Sequence, residues 1–453
     1  MLIKALTQRE GPRRRKLSMK KKIVSLLLAA SMVATLGACG SGSSSKDSSS
    51  SSAASSDSTA KADDPVQTLI KNTTGTVDLT LWCSETKEYQ TVMKEIVDNF
   101  KKEYSDVDFN ITIGSESEAN TKDDLLKDVE AGADVFAFAD DQTNELVKAG
   151  ALQEVSTTYT YDPKETDTDG SLEAATIDGK VYAYPMTASN GYFLYYDKSV
   201  IPDEDAGSLD KILADCEKAG KTFGMEVSNA WYLYSFFKGA GLEATLNDDG
   251  KTTDCNWNAT DTDPTGAQVA EAITAAAKSK AFKNLGNDDQ MAAIKDGKMA
   301  ACVNGTWSSQ TVSDAWGKNL GAAKLPTFTV NGKQVQMGSF SGYKLIGVNA
   351  YSKQTGWAML LAEYITNAEN QMKIFKATGE GPANKEDQQS SDVTSAPAIA
   401  ALNSQAEFAS LQRVGANFWT PGNSLGQSLV EGKYSDAQKL LDEAVEGITA
   451  EVK

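Results

Sequence analysis

Alternating apolar and polar residues divide the chain after about residue 75 into short strands separated by helices. Residues 77–82 and 107–113 alternate strictly and predict strands, while residues 89–104 carry apolar side chains at helical spacing. The run at 134–139 is apolar on both faces, as expected of a buried parallel strand. Strands and helices in succession predict an α/β fold.

The same alternation continues through the second half of the chain. Helices are predicted at 206–221, 267–280, 290–297 and, as a pair, 354–375, and strands at 223–227, 299–303 and 342–350. A final amphipathic helix is predicted with Ser435 as its cap. Because 453 residues exceed what one hydrophobic core usually supports, two lobes are expected.

The stretch at 178–202 is unusually aromatic. It places six aromatic residues within fifteen positions, on both sides of a polar run at 187–191. Two short strands joined by a bend fit this pattern, because Ser189, Asn190 and Gly191 do not favour a regular element. The residues themselves leave open whether the two strands form a surface hairpin.

Charge and composition narrow the range of functions. The formal charge of −18 becomes −26 without residues 1–38, which carry nine Lys or Arg and one Glu. Such acidity argues against nucleic acid or anionic partners. The chain contains no histidine, which excludes Ser-His-Asp and Cys-His catalysis and His-ligated zinc.

Metal and cysteine chemistry are also limited by spacing. Glu165, Asp167 and Asp169 resemble the first half of a calcium loop, but Thr176 at the twelfth position cannot supply the bidentate carboxylate. We therefore expect no metal and no cofactor. Four cysteines after residue 39 are not spaced as metal-binding pairs: Cys83, Cys216, Cys255 and Cys302. The sequence leaves open whether they are free thiols or form disulfides.

The first 74 residues predict export and anchoring. Three lysines precede an apolar run at 23–34, as in a secretory signal, and the run is shorter than the ~20 residues of a membrane-spanning helix. LGAC, ending at Cys39, resembles a bacterial lipobox, in which the cysteine is lipidated; an ordinary cleavage site is the alternative. We assign residues 1–38 to a signal peptide, with Met19 preferred over Met1 as the start, and residues 39–74 to the lipidated cysteine and a Ser-rich flexible linker.

Several short motifs resemble the maltose/maltodextrin-binding branch of the extracytoplasmic solute-binding proteins of carbohydrate ABC transporters. In chain order they are DGK at 178–180, YAYP at 182–185, YDK at 196–198, NGTW at 304–307, LPTF at 325–328, GVNA at 347–350 and NFWTPG at 417–422. They follow the order of the family, so the resemblance covers nearly the whole chain after about residue 75. Thr420 and Asn423 depart from the Tyr and Arg of close relatives, which leaves the contacts at that end of the cleft open.

The resemblance implies a type II periplasmic-binding-protein-like fold, with two discontinuous lobes joined by hinge crossovers. Lobe 1 is expected to comprise residues 75–187 and 328–385, and lobe 2 residues 188–327 and 386–453. The crossovers are expected to include residues 185–191 and 325–328, about which the lobes close on a ligand.

The resemblance also implies a sugar-binding cleft. Trp231, Trp307 and Trp419 are expected to converge there with Phe138 opposite, because flat aromatic rings match the apolar face of a pyranose. Charged loop side chains are expected to hydrogen-bond to sugar hydroxyls. The expected ligand-binding residues are Glu85, Lys87, Phe138, Asp140, Asp141, Gln142, Ser189, Asn190, Trp231, Tyr232, Trp307 and Trp419. The alternatives are a core position for a tryptophan and a solvated loop for a charged residue.

The implied function is that of a monomer tethered by Cys39 to the outer face of the bacterial cytoplasmic membrane. It would capture maltose or malto-oligosaccharides and deliver them to the permease of an ABC importer, without catalysis. Another neutral oligosaccharide is the alternative ligand. A cell-surface glycosidase working with carboxylates alone, or a lipoprotein that reports ligand to a sensor kinase, would share many of these features.

Overall fold

The computed structural model describes residues 64–451. The predictions of a signal peptide, a lipidated Cys39 and a linker up to residue 63 lie outside these residues. Among the helices of residues 64–451, none is long and apolar enough to cross a bilayer.

Helices and strands alternate along the described chain. The helices are α1 Pro65–Asn72, α2 Lys87–Glu103, α3 Thr121–Leu125, α4 Thr143–Lys148, α5 Pro163–Thr166, α6 Asp169–Ala174, α7 Leu209–Ala219, α8 Ala230–Gly239, α9 Gly266–Ala277, α10 Asn287–Lys295, α11 Ser309–Trp316, α12 Thr355–Thr366, α13 Ala368–Thr378, α14 Lys385–Gln388, α15 Ser391–Thr394, α16 Pro397–Gln405, α17 Trp419–Glu431 and α18 Ala437–Ile448. The strands are β1 Val77–Cys83, β2 Phe109–Ser115, β3 Val135–Ala139, β4 Thr176–Ile177, β5 Lys180–Val181, β6 Ala183–Thr187, β7 Tyr192–Asp197, β8 Thr222–Gly224, β9 Ala244–Leu246, β10 Thr253–Cys255, β11 Phe282–Lys283, β12 Met299–Gly305, β13 Leu320–Ala323, β14 Thr327–Val330, β15 Lys333–Gln336, β16 Ser339–Ser341, β17 Lys344–Val348 and β18 Ala409–Leu411.

The first lobe is built on a five-stranded sheet of order β2-β1-β3-β17-β6. Strand β1 runs parallel to β2 and β3, whereas β17 runs antiparallel to β3 and β6. Strand β3 is buried on both faces: Val135 and Ala137 pack in one cluster with residues of α2 and α12, and Phe136 and Phe138 pack in another. This double burial explains why β3 shows no alternation in the sequence.

The second lobe is built on a sheet of order β11-β8-β12-β7-β13. Strand β7 runs antiparallel to both β12 and β13, while β8 runs parallel to β11 and β12. The main cluster of this lobe joins Tyr192, Phe223 and Trp257 to residues of α8, α9, α17 and α18. Each lobe therefore has its own core.

The aromatic stretch at 178–202 connects the two lobes. Strand β6 lies at the edge of the first sheet and β7 lies within the second, so the two do not pair as a surface hairpin. Residues 188–191 make the first crossing between the lobes.

The second crossing lies later in the chain than the LPTF motif predicts. Phe328, Val330, Met337 and Phe340 all pack in the main cluster of the second lobe. The assignment of residues 328–341 to lobe 1 was therefore wrong, because the β14–β15 hairpin and β16 bury their apolar side chains in lobe 2. The chain returns to the first sheet between β16 and β17.

The folded chain also begins earlier than predicted. Residues 65–72, assigned to the linker, form α1, with Pro65 in its first turn and the Asp64 side chain accepting a hydrogen bond from the Val66 N–H. Leu69 and Ile70 pack against the lobe 1 core. Together with Val66, these two side chains form the apolar face by which the helix packs on lobe 1.

The four cysteines left undecided by the sequence are free and buried in the structure: Cys83, Cys216, Cys255 and Cys302. Burial raises the pKa of Cys83, Cys216 and Cys255 to about 12. The thiols therefore serve as small core side chains.

Candidate ligand-binding cleft

The predicted site residues come from loops at the carboxyl ends of strands in both lobes. In lobe 1, Glu85 follows β1 and Asp140–Gln142 follows β3; in lobe 2, Trp307 follows β12. Trp307 lies against lobe 1, because Lys344 Nζ of lobe 1 is 5.7 Å from its ring centroid. Loops at such strand ends are where open α/β sheets bind ligands.

Two indole rings form an aromatic surface on lobe 2. The ring centroids of Trp231 and Trp307 lie 5.6 Å apart with an angle of 35° between their planes, and both residues are partly exposed. The Trp307 ring lies over Gly305, where a Cβ atom would come within 2.1 Å of the ring. Only glycine at this position permits that placement.

Trp231 is held from several directions. Asn229 caps α8 and its side chain accepts a hydrogen bond of 3.1 Å from the Trp231 N–H, while Tyr192 donates to the Trp231 carbonyl at 2.7 Å. Trp231 and Tyr232 lie in the first turn of α8. Tyr232 is buried, with its ring centroid 5.0 Å from that of Tyr192, so it supports the aromatic surface.

A buried ionic cluster lies on the lobe 1 side of Trp307. Lys344 Nζ is 2.8 Å from Glu380 Oε1 and 3.4 Å from Glu118 Oε1, and Tyr89 donates to Glu380 Oε2 at 2.9 Å. Burial alone would lower the pKa of Lys344, but the two carboxylates raise it well above its usual value. Burial raises the pKa of Glu118, and the Lys344 charge opposes that rise.

An acidic pair lies at the end of β3. Asp140 is buried, and its Oδ2 accepts from Arg413 Nη1 at 2.7 Å. Its neighbour Asp141 has an enclosed Oδ1 atom without a hydrogen-bond partner among the described residues. Burial and the charge of Asp140 raise the pKa of Asp141 to about 7. This carboxylate is therefore an available acceptor for a hydroxyl donor.

The lobes also touch away from the acidic pair. Asn144 Nδ2 and Lys148 Nζ of lobe 1 lie 3.3 Å and 3.2 Å from the Gly250 carbonyl oxygen of lobe 2. The structure therefore shows the lobes in direct contact.

The other predicted residues divide into exposed and buried groups. Glu85 and Lys87 are exposed, and Lys87 begins α2.

Gln142 is buried and donates to the Glu118 carbonyl at 2.6 Å. Ser189 is buried, and its Oγ accepts from the Gly381 N–H at 2.7 Å. Asn190 is half-buried, and its N–H donates to a carbonyl of the second crossing at 3.2 Å.

Of the remaining aromatic residues, Phe138 does not occupy its expected position, whereas Trp419 is partly exposed as a ligand contact requires. Phe138 is fully buried in the lobe 1 core, with its ring centroid 5.7 Å from that of Phe136, so it does not line the cleft opposite the tryptophans. The expectation was wrong because both faces of β3 are covered. Trp419 begins α17, is half-buried and packs against Phe418, with centroids 5.1 Å apart. Among the aromatic contacts of the described residues, it is not paired with Trp231 or Trp307.

The apparent calcium loop is divided between two environments. Asp167 is buried and accepts from Gln371 Nε2 at 3.1 Å, whereas Asp169 is exposed. Within residues 64–451, no group of three or more cysteine or carboxylate side chains is arranged to hold a metal ion.

Sequence reasoning missed several polar residues of the cleft. Lys344, Glu118, Glu380 and Gln412 carry no local motif, and long-range packing brings them together. Arg413 does carry a signal, because it is the only arginine after residue 15. In a chain that otherwise uses lysine, a lone arginine marks a position where the planar guanidinium has a specific partner.

The comparisons with known proteins agree with this architecture. The profile of the bacterial extracellular solute-binding protein family matches residues 95–401. The chain belongs to this family, and its members are binding proteins rather than enzymes.

Individual relatives are similar over most of their length. The galactooligosaccharide-binding protein of Bacillus subtilis strain 168 is 28% identical over 398 residues, which cover 83% of this chain and 90% of that protein. The maltooligosaccharide ABC transporter solute-binding lipoprotein of Streptococcus pneumoniae TIGR4 is 25% identical over 405 residues, covering 83% and 89%. The structure of maltodextrin binding protein MalE1 from L. casei BL23 without ligand has a TM-score of 0.67 at 29% identity, covering 83% and 100%. The predicted two-lobed α/β fold is thereby confirmed.

Proposed function

We propose that this protein captures malto-oligosaccharides outside the cell and delivers them to the permease of an ABC importer. The observation that carries the proposal is the aromatic surface of Trp231 and Trp307, which lies against the buried ions of lobe 1 through Lys344. Asp141 adds an enclosed oxygen atom, Oδ1, that has no hydrogen-bond partner among the described residues. A pyranose ring has an apolar face and a rim of hydroxyls, so it matches both sides of such a cleft.

The proposed ligand contacts are the partly exposed members of the predicted set. Trp231 and Trp307 would stack on sugar rings, Asp141 would accept from a hydroxyl, and Glu85 and Lys87 lie at the exposed rim. Trp419 remains a proposed contact at the far end, where Thr420 and Asn423 depart from the family pattern. Binding between the lobes stabilises the closed arrangement, which the permease would recognise.

A second candidate ligand is a galacto-oligosaccharide. The observation in its favour is the similarity to the galactooligosaccharide-binding protein of B. subtilis, with 28% identity over 83% of this chain. Flat indole rings stack on gluco- and galacto-configured rings alike, so the polar contacts would decide between them.

Titration of tryptophan fluorescence tests the proposal. Maltotriose should change the emission of Trp231 and Trp307 in a saturable manner, and the sugar should be recovered intact. Saturation with a galactotriose at lower concentration would favour the second candidate. Release of glucose from maltotriose would contradict a pure binding function.

The proposed setting is the outer face of the bacterial cytoplasmic membrane, where the protein would act as a lipid-anchored monomer. The proposal depends on the lipobox-like LGAC sequence ending at Cys39. A Cys39→Ala variant should be released into the medium, whereas retention at the membrane would contradict the anchor.

A further inference from the structure

Gln412 and Arg413 connect the two sides of the cleft. Gln412 Oε1 accepts from Trp231 Nε1 at 2.9 Å within lobe 2, and Arg413 Nη1 donates to Asp140 Oδ2 at 2.7 Å in lobe 1. The backbone of this pair is fixed as well, because the Gln412 N–H donates to the Ser341 carbonyl and the Arg413 carbonyl accepts from the Leu246 N–H. Adjacent residues on one rigid segment thus hold an indole and a carboxylate from opposite lobes.

Both carboxylate oxygens of Asp140 already accept hydrogen bonds from protein groups. Its Oδ1 accepts from the Tyr343 N–H at 2.8 Å, and its Oδ2 is taken by Arg413. Gly342 permits this arrangement, because a Cβ atom there would lie 2.5 Å from Asp140 Oδ1. The Asp140 side chain is only 1% exposed. Its role is therefore to bind protein groups.

Asp141 differs from its neighbour in its hydrogen bonding. Its Oδ1 is enclosed and has no partner among the described residues, which makes a donor from a ligand favourable there. Burial and then the charge of Asp140 raise its pKa to about 7, whereas Arg413, Gln412 and Lys122 oppose that rise. Tyr343 is a further titratable group beside Asp140 and Arg413. The ionised state of Asp141 near neutral pH therefore depends on Arg413.

Building on the function proposed above, we propose that Gln412 and Arg413 are positioning residues of the ligand site. Gln412 orients the Trp231 ring. Arg413 binds the Asp140 carboxylate, so that Asp141 remains as the ionised acceptor for a sugar hydroxyl. Neither residue needs to touch the ligand.

The choice of arginine fits this role. Arg413 is the only arginine after residue 15, although lysines are abundant. A guanidinium stays charged at every relevant pH and presents several donors in one plane, so it can bind Asp140 and its own chain together. Arg413 Nη1 also donates to the Gln412 carbonyl at 3.0 Å.

The pH dependence of oligosaccharide affinity tests the proposal. Two variants are expected to shift the midpoint pH of the affinity change in opposite directions. In the wild type, maltotriose affinity measured by calorimetry should fall as the pH drops through about 7, because Asp141 becomes protonated. Arg413→Gln should move this midpoint to higher pH and weaken binding at pH 7.5 roughly tenfold to a hundredfold. Asp140→Asn should move the midpoint to lower pH, and Asp141→Asn should remove the transition.

Matched variants separate positioning from simple damage to the fold. Lys148→Gln also removes a cationic contact between the lobes, but it should leave the midpoint unchanged. Gln412→Met should change the Trp231 emission and weaken binding roughly twofold to tenfold, because the indole N–H loses its acceptor. If Arg413→Gln does not fold, Asp140→Asn still tests the proposal through its lower midpoint, because this variant leaves no buried carboxylate without its cation.

The outcomes are distinguishable. The decisive quantity is the pH at the midpoint of the affinity change. If it stays at the wild-type value in Arg413→Gln and Asp140→Asn, or shifts in the same direction in both, the positioning role is overturned while the proposed function stands. A wild type that binds no neutral oligosaccharide at any pH would overturn the proposed function, and this inference with it.

Discussion

Lys344 and Glu380 form a buried ion pair of 2.8 Å at the place where the chain passes between the lobes. Lys344 begins β17, directly after the second crossing, and Glu380 lies just beyond the end of α13. The Thr187 hydroxyl, at the start of the first crossing, lies 3.5 Å from Glu380 Oε2. One carboxylate therefore links three separate chain segments near the hinge.

Lys344→Met should lower the free energy of unfolding by about 3–5 kcal/mol, because it leaves Glu118 and Glu380 buried without a cation. Urea denaturation monitored by circular dichroism measures this change. The matched control is Lys94→Met, which breaks an exposed pair of 2.6 Å with Asp98 and should leave the free energy of unfolding almost unchanged, because water screens that pair. Equal losses in the two variants would contradict the structural role of the buried pair.

Trp307→Ala should weaken oligosaccharide binding by about tenfold or more, because the ring is a large, partly exposed aromatic surface in the cleft. Trp307→Phe keeps a flat ring and should lose less. Trp419→Ala is the comparison, because Trp419 packs on Phe418 at the edge of the lobe 2 core. Trp419→Ala should weaken binding less than Trp307→Ala does and should also lower stability, because Trp419 is both a proposed contact and part of this packing. Calorimetry measures the affinity and thermal unfolding measures the stability of each variant. A larger loss of affinity in Trp419→Ala than in Trp307→Ala would contradict the assignment of Trp307 as the stronger ligand contact.

Asp167 should make stability depend on pH. Burial raises its folded-state pKa from 3.8 to about 7. Its contribution to stability is therefore complete below the unfolded pKa near 4 and is lost as the pH rises through about 7. Relative to Asp167→Asn, the wild type should lose on the order of 2–4 kcal/mol in the free energy of unfolding between pH 4.5 and pH 8. Parallel pH profiles for the two proteins in urea denaturation would show that Asp167 does not titrate in this way.

Elements with a clear period were predictable from sequence. The alternation at 77–82 and the helical spacing at 89–104 correspond to β1 and α2 within a few residues. Helix α8 was missed because its sequence, AWYLYSFFKG, is apolar and buried on nearly all sides, which removes the periodic signal. The cap of α18 was misplaced by one residue, since Asp436 rather than Ser435 accepts the bond from Lys439.

The candidate site was only partly accessible from sequence. Trp231 and Trp307 lie in recognisable motifs, and the structure brings their rings together. The contact of Arg413 with Asp140 spans 273 positions along the chain, and no local pattern encodes such a contact. Phe138 was misplaced because a run that is apolar on both faces gives no indication of which side chains remain accessible to a ligand.

Calorimetric titration of the wild-type protein with a panel of neutral and charged oligosaccharides shows whether the cleft binds a neutral sugar through Trp231 and Trp307. We expect saturable binding of maltotriose or another neutral oligosaccharide at one site per chain, with no product formed. Binding that appears only with charged ligands, or binding of maltotriose that survives unchanged when both Trp231 and Trp307 are replaced by alanine, would contradict this expectation.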